Sequence, residues 1–117
     1  MNDIKIESKN MNTTELKHLI IRLCKEEMKR QSLIKKEFLT KCIKESRLNN
    51  DEKLVIPPSK LTRSINYLKP AYKEIIINEF YKPKSDKYWY EDKYCRATFY
   101  KYRNEAMKDL VNIYVSS

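Results

Sequence analysis

The chain has 117 residues, 41% hydrophobic and 35% charged, with 25 Lys and Arg against 16 Asp and Glu for a formal charge of +9. That length fits one domain, or one small domain with a helical extension. Glycine is absent altogether, which excludes phosphate-cradling P-loops and dinucleotide fingerprints and argues against a hairpin-rich all-β fold.

The positive charge points to a polyanionic partner. It is spread along the chain: residues 1–50 hold 12 basic and 7 acidic side chains, 51–95 hold 9 and 7, and 96–117 hold 4 and 2. A Lys-, Ile-, Asn- and Tyr-rich composition of the kind an A/T-rich genome imposes would explain the lysine count. It would not explain Arg96, Lys101 and Arg103 on one helix. Cys24, Cys42 and Cys95 have no metal-ligand spacing and His18 is the only histidine, so neither a metal site, a cofactor nor a disulfide framework is expected. No nucleophile–base pairing suggests an enzyme. No apolar run approaches the ~18–20 residues of a bilayer span, and the N-terminus lacks a signal-peptide stretch. The expected location is the cytoplasm, with free thiols.

In chain order, residues 1–12 are polar and unpatterned, and read as a flexible arm. Thr13 or Thr14 is positioned to cap a helix with Glu15 in its first turn. Leu16, Leu19, Ile20, Leu23 and Cys24 mark one face, and Leu33, Ile34, Phe38, Leu39, Cys42 and Ile43 mark another with the same period. The pattern resets near Gln31 and Ser32, so residues 13–50 read as a helical pair, with one long kinked helix as the other fit. Their basic polar faces, Lys36 among them, read as solvated surface, with an auxiliary phosphate-contacting surface as the alternative. Asn49-Asn50-Asp51 signals a turn and Pro57-Pro58 a break. A boundary therefore falls between the extension and a unit spanning 55–117.

Within that unit Ser59 is placed to cap a helix running to Leu68, with Leu61, Ile65 and Leu68 inward. Pro70 suits the first turn of the next helix, whose apolar face carries Ala71, Tyr72, Ile75, Ile76 and Phe80. Ser85 or Asp86 would cap a short helix bearing Trp89. Tyr88, Trp89, Tyr90 and Tyr94 are either a stacking platform for single-stranded nucleic acid or, the stronger reading, a core anchor for that short helix. From Arg96 onward Phe99, Tyr102, Ala106, Leu110 and Ile113 recur at helical spacing. The opposite face carries Arg96, Ala97, Tyr100, Lys101, Asn104 and Lys108. A helix with that mixture can enter a DNA major groove, where Arg and Lys find guanine acceptors and phosphates.

The segment Tyr94 to Met107, YCRATFYKYRNEAM, preceded by Ile65-Asn66-Tyr67-Leu68-Lys69-Pro70 and AYKEIIINEFY, resembles sigma region 4. In particular it resembles phage transcription regulators of the ArpU and RinA type, whose last helix often reads close to YSRSTFYRYRKRAL. The resemblance covers about the C-terminal half, from near Lys60 to Val115. Cys95 departs from it, standing where the pattern has an N-cap Ser. The resemblance implies an all-α fold, here an N-terminal helical pair followed by a sigma-region-4-like helix-turn-helix bundle. It implies sequence-specific binding of double-stranded DNA in transcriptional regulation, with RNA polymerase as a further partner. Arg96, Ala97, Tyr100 and Lys101 would face base edges, Lys93, Arg103 and Lys108 would contact phosphates, and Asn104 completes the face. Two other functions stay open: a DNA-packaging or recombination accessory protein using the same helix-turn-helix, and a basic helical module for an acidic protein partner. Self-association is left open by the sequence.

Overall fold

Asn12 starts the fold. Its side-chain oxygen accepts from the Glu15 amide at 2.8 Å, and the Glu15 carboxylate accepts from the Asn12 amide at 3.0 Å. This capping box displaces the expected Thr13 or Thr14 cap, because only Asn12 stands three residues before a Glu. The computed structural model describes residues 11–45 and 54–117, and all regular structure among them is helical. The arm, apart from its last two residues, and the turn expected at Asn49-Asn50-Asp51 lie outside the described residues.

Helix α1, Thr13–Lys44, is a single helix of 32 residues, and the expected helical pair is not formed. The reason is visible in its inward stripe: Leu16, Ile20, Cys24, Glu27, Gln31, Ile34, Phe38 and Cys42 recur every three or four residues without a break. Two of those positions are polar, so a reading of apolar residues alone loses the stripe there. Neither Gly nor Pro interrupts the segment. Glu27 is buried and satisfied: Arg30 Nε donates to it at 3.1 Å and Gln31 Nε2 at 2.7 Å. Arg30 also donates to the Pro57 carbonyl at 2.8 Å, and Gln31 to the Tyr81 hydroxyl at 2.9 Å. These bonds tie α1 to two later parts of the chain.

Helix α2, Lys60–Asn66, is capped by Ser59, whose hydroxyl accepts from the Thr62 amide at 3.0 Å. It ends two residues before the expected Leu68, which nonetheless packs inward. Helix α3, Pro70–Ile76, opens with its proline at the first position, where the missing amide costs nothing. It continues into a π-helical turn, Ile77–Tyr81, in which the Lys82 amide donates back to the Ile77 carbonyl at 2.8 Å. Residues 87–93 form successive hydrogen-bonded turns, not the expected short helix; Asp86 still caps their start, accepting from the Tyr88 amide at 2.9 Å. Helix α4, Arg96–Ser116, completes the fold.

One apolar cluster joins Leu16, Ile20 and Cys24 of α1 to Leu61 and Ile65 of α2, Ile76 and Phe80, and Ala106, Met107, Leu110 and Val111 of α4. The core therefore runs across the boundary drawn between 13–50 and 55–117. A second cluster, Ile75, Tyr90 and Phe99 with Trp89, Tyr94 and Tyr102 against it, seats the start of α4. No helix among the described residues is long and apolar enough to cross a membrane.

Candidate nucleic-acid interface

The amino-terminal end of α4 is held from behind by aromatic packing. The Tyr90 ring lies parallel to Phe99 with centroids 3.7 Å apart, and Trp89 meets Phe99 edge-on at 5.7 Å. Sequence reasoning favours Trp89 as the anchor because it is the largest side chain. Tyr90 is the more deeply buried, at 3% exposure. The indole N–H explains the exchange: it needs an acceptor, and finds the Glu79 carboxylate at 2.9 Å, which keeps Trp89 nearer the surface. Tyr72 of α3 donates to Glu105 of α4, and that bond first, then burial, pushes the Tyr72 hydroxyl up to about 12.

With Phe99 turned inward, Arg96, Ala97, Tyr100 and Lys101 all face outward and are exposed. They form one arc on the first turn and a half of the helix. Lys101 stands about 140° around the axis from Arg96. The Tyr90 hydroxyl beside Arg96, and then Tyr100 and Tyr88, favour its charged form. Lys108 is exposed two turns further along. The helix begins at Cys95, whose backbone has the extended geometry of an N-cap but whose thiol makes no capping bond; the thiol instead lies 3.2 Å from the Thr98 hydroxyl. The free amides and the positive end of the helix dipole thus lie beside the same arc, a favourable setting for phosphate.

Three other expected contact residues are placed differently. Arg103 is turned toward the body of the protein, 15% exposed, pairing with Glu79 at 3.4 Å and lying over the Tyr100 ring at 4.7 Å. Lys93 is exposed but paired with Glu74 at 2.7 Å. Asn104 is half-buried, and its side-chain oxygen is enclosed without a partner. Arg103 therefore braces Tyr100 and is not presented to a ligand on the outer arc. Sequence reasoning missed Glu79 and Glu74, the acceptors for Arg103 and Lys93. Their signal was only a pair of carboxylates on the helix preceding the aromatic segment. Among the described residues no cluster of His, Cys, Asp or Glu is arranged to hold a metal.

Searches against family models, curated proteins and solved structures found no match.

Proposed function

We propose that this chain is a sequence-specific duplex DNA-binding protein of the cytoplasm that acts in transcriptional regulation, with a sigma-region-4-like helix-turn-helix arrangement. The observation that carries the reading is the exposed arc of Arg96, Ala97, Tyr100 and Lys101 on a helix whose opposite side is fixed in an aromatic cluster. A small residue between two cations lets the helix approach base edges, and Arg96 has the reach for bidentate contact with guanine. Lys101, Lys108 and the helix start supply phosphate contacts that set the register. The turns at 87–93 stand in for the positioning helix of a regular helix-turn-helix.

Selection of bound sequences from random duplex DNA tests this directly: enrichment of a defined site supports it, and recovery of unenriched sequence contradicts it. Co-purification of RNA polymerase would separate a promoter regulator from a packaging or recombination accessory. One observation favours the alternative of a protein-interaction module. The distal part of α1 exposes Leu33, Leu39 and Ile43 among Lys35, Lys36, Lys41 and Lys44, chemistry suited to an acidic amphipathic partner.

A further inference from the structure

A cleft of about 500 Å³ lies between α1 and the π-helical turn, with Arg103 of α4 also lining it. Its volume falls within the roughly 300–1,000 Å³ of small-molecule sites. One wall is a stripe of α1, with Ile21 between the exposed side chains of Lys17 and Lys25 and Met28 one turn beyond Lys25. The other is Phe80 at the π-helical turn, a deviation from α-helical geometry that frequently marks functional sites. The floor includes Cys24, whose thiol is pushed up to about 11 by burial and then by Glu27, and so stays uncharged at neutral pH.

Arg103 closes the inner end, and its pairing is incomplete. Glu79 reaches only one guanidinium nitrogen, at 3.4 Å, long for a charge-assisted bond. The other Glu79 oxygen is taken by the Trp89 indole. Arg103 Nε is enclosed without an acceptor, and a buried donor left unmet calls for an explanation such as a ligand or water. The cleft thus combines an apolar floor with three cations, against the single carboxylate of Glu79.

We propose that this cleft binds an amphiphilic carboxylate, with the apolar chain over Ile21, Met28 and Phe80 and the anionic head between Lys17, Lys25 and Arg103. The head group supplies acceptors that Glu79 does not, and Arg103 shifts toward it. The proposal does not rest on the DNA-binding reading, since no residue of the exposed arc lines the cleft; the two meet only at Arg103, which lies over the Tyr100 ring.

Titration calorimetry of the full chain with decanoate, below its micelle concentration, tests the proposal. Decyltrimethylammonium carries the same chain with the opposite charge. The expected result is saturable binding of one decanoate per chain and none of the cation. The double reversal Lys17→Glu/Lys25→Glu alters two exposed side chains and leaves the core intact; it should weaken decanoate by about tenfold or more, the loss expected for a charge-assisted contact. Met28→Trp, which fills the cleft from its exposed edge, should weaken it as well. No saturable binding of decanoate would overturn the proposal. So would equal uptake of the cation, or binding that both variants leave unchanged, because either shows adsorption on apolar surface without recognition of the anion.

Discussion

Removing the Glu27 carboxylate strands two donors at once, because Arg30 and Gln31 both bond to it. Glu27→Ala should lower stability by about 1–3 kcal/mol in denaturant unfolding, the cost of leaving partly buried polar groups unmet. The lower end is favoured because the Arg30 side chain is 36% exposed. Burial pushes the Glu27 carboxyl up, but hydrogen bonds from Arg30, Gln31 and Ser59 and the Arg30 charge more than offset it, so the folded value lies below the ordinary 4.5. A depressed carboxyl stabilises the fold above its unfolded value and ceases to do so as pH falls through the folded value. The stability gap between wild type and Glu27→Ala should therefore be full above about pH 4.5 and close on further acidification. A gap that widens in acid would show that Glu27 is held protonated.

Cys95 concerns one residue, but its effect belongs to the helix it starts. The backbone there already has N-cap geometry and Thr98 occupies the third helical position, so a serine oxygen could accept from the Thr98 amide. Cys95→Ser should stabilise the protein by about 0.5–1 kcal/mol in thermal or denaturant unfolding. No gain would mean that the contact with the Thr98 hydroxyl already does the work of a cap. Helix α4 was legible in the sequence because Phe99, Ala106 and Leu110 keep a clean period and are all buried. Met107 and Val111, also buried, lie beside that stripe and were missed, because α4 is packed by more than one neighbour and its inner face is wider than one row. Helix α1 failed for the opposite reason. Its stripe passes through Glu27 and Gln31, and only the partners seen in three dimensions show that polar groups belong inside. A cap signal at Ser85 or Asp86 with Trp89 as anchor predicts a short helix, whereas 87–93 form turns and Tyr90 is the deeper anchor.

Across the whole molecule, the sequence separates 13–50 from 55–117, whereas the core does not. Leu16, Ile20 and Cys24 close over Leu61, Ile65, Met107 and Leu110. A core shared in this way predicts that 55–117 does not fold cooperatively without α1. Each large apolar side chain withdrawn from such a core costs about 2–5 kcal/mol, so losing Leu16 and Ile20 alone removes an amount comparable with the whole margin of a small domain. A fragment of 55–117 should show reduced helicity by circular dichroism and a broad, weakly cooperative melt. A sharp melt near that of the full chain would show that α1 is dispensable to the core. The charge distribution leads to a second expectation at this scale. With the three cations on this face, Arg96, Lys101 and Lys108, DNA affinity should fall with a log–log salt slope of about −2.7. A slope near −1 would assign the +9 charge to composition and not to a binding surface.

The most direct test of the proposal that α4 reads DNA compares three variants with the unmodified chain on two duplexes, the sequence recovered by selection and a random one. Arg96→Ala should cost about 1–3 kcal/mol on the selected site and far less on random DNA, because a base contact is lost. Lys101→Ala should weaken both more evenly if it reaches phosphate. Lys36→Ala, on the outer surface of α1, should change neither. Circular dichroism should match the unmodified chain in every variant. Equal losses on the two duplexes for Arg96→Ala would reduce it to a phosphate anchor. A larger loss from Lys36→Ala than from either α4 substitution would place the nucleic acid on α1, and would contradict the assignment of α4 as the helix that reads DNA.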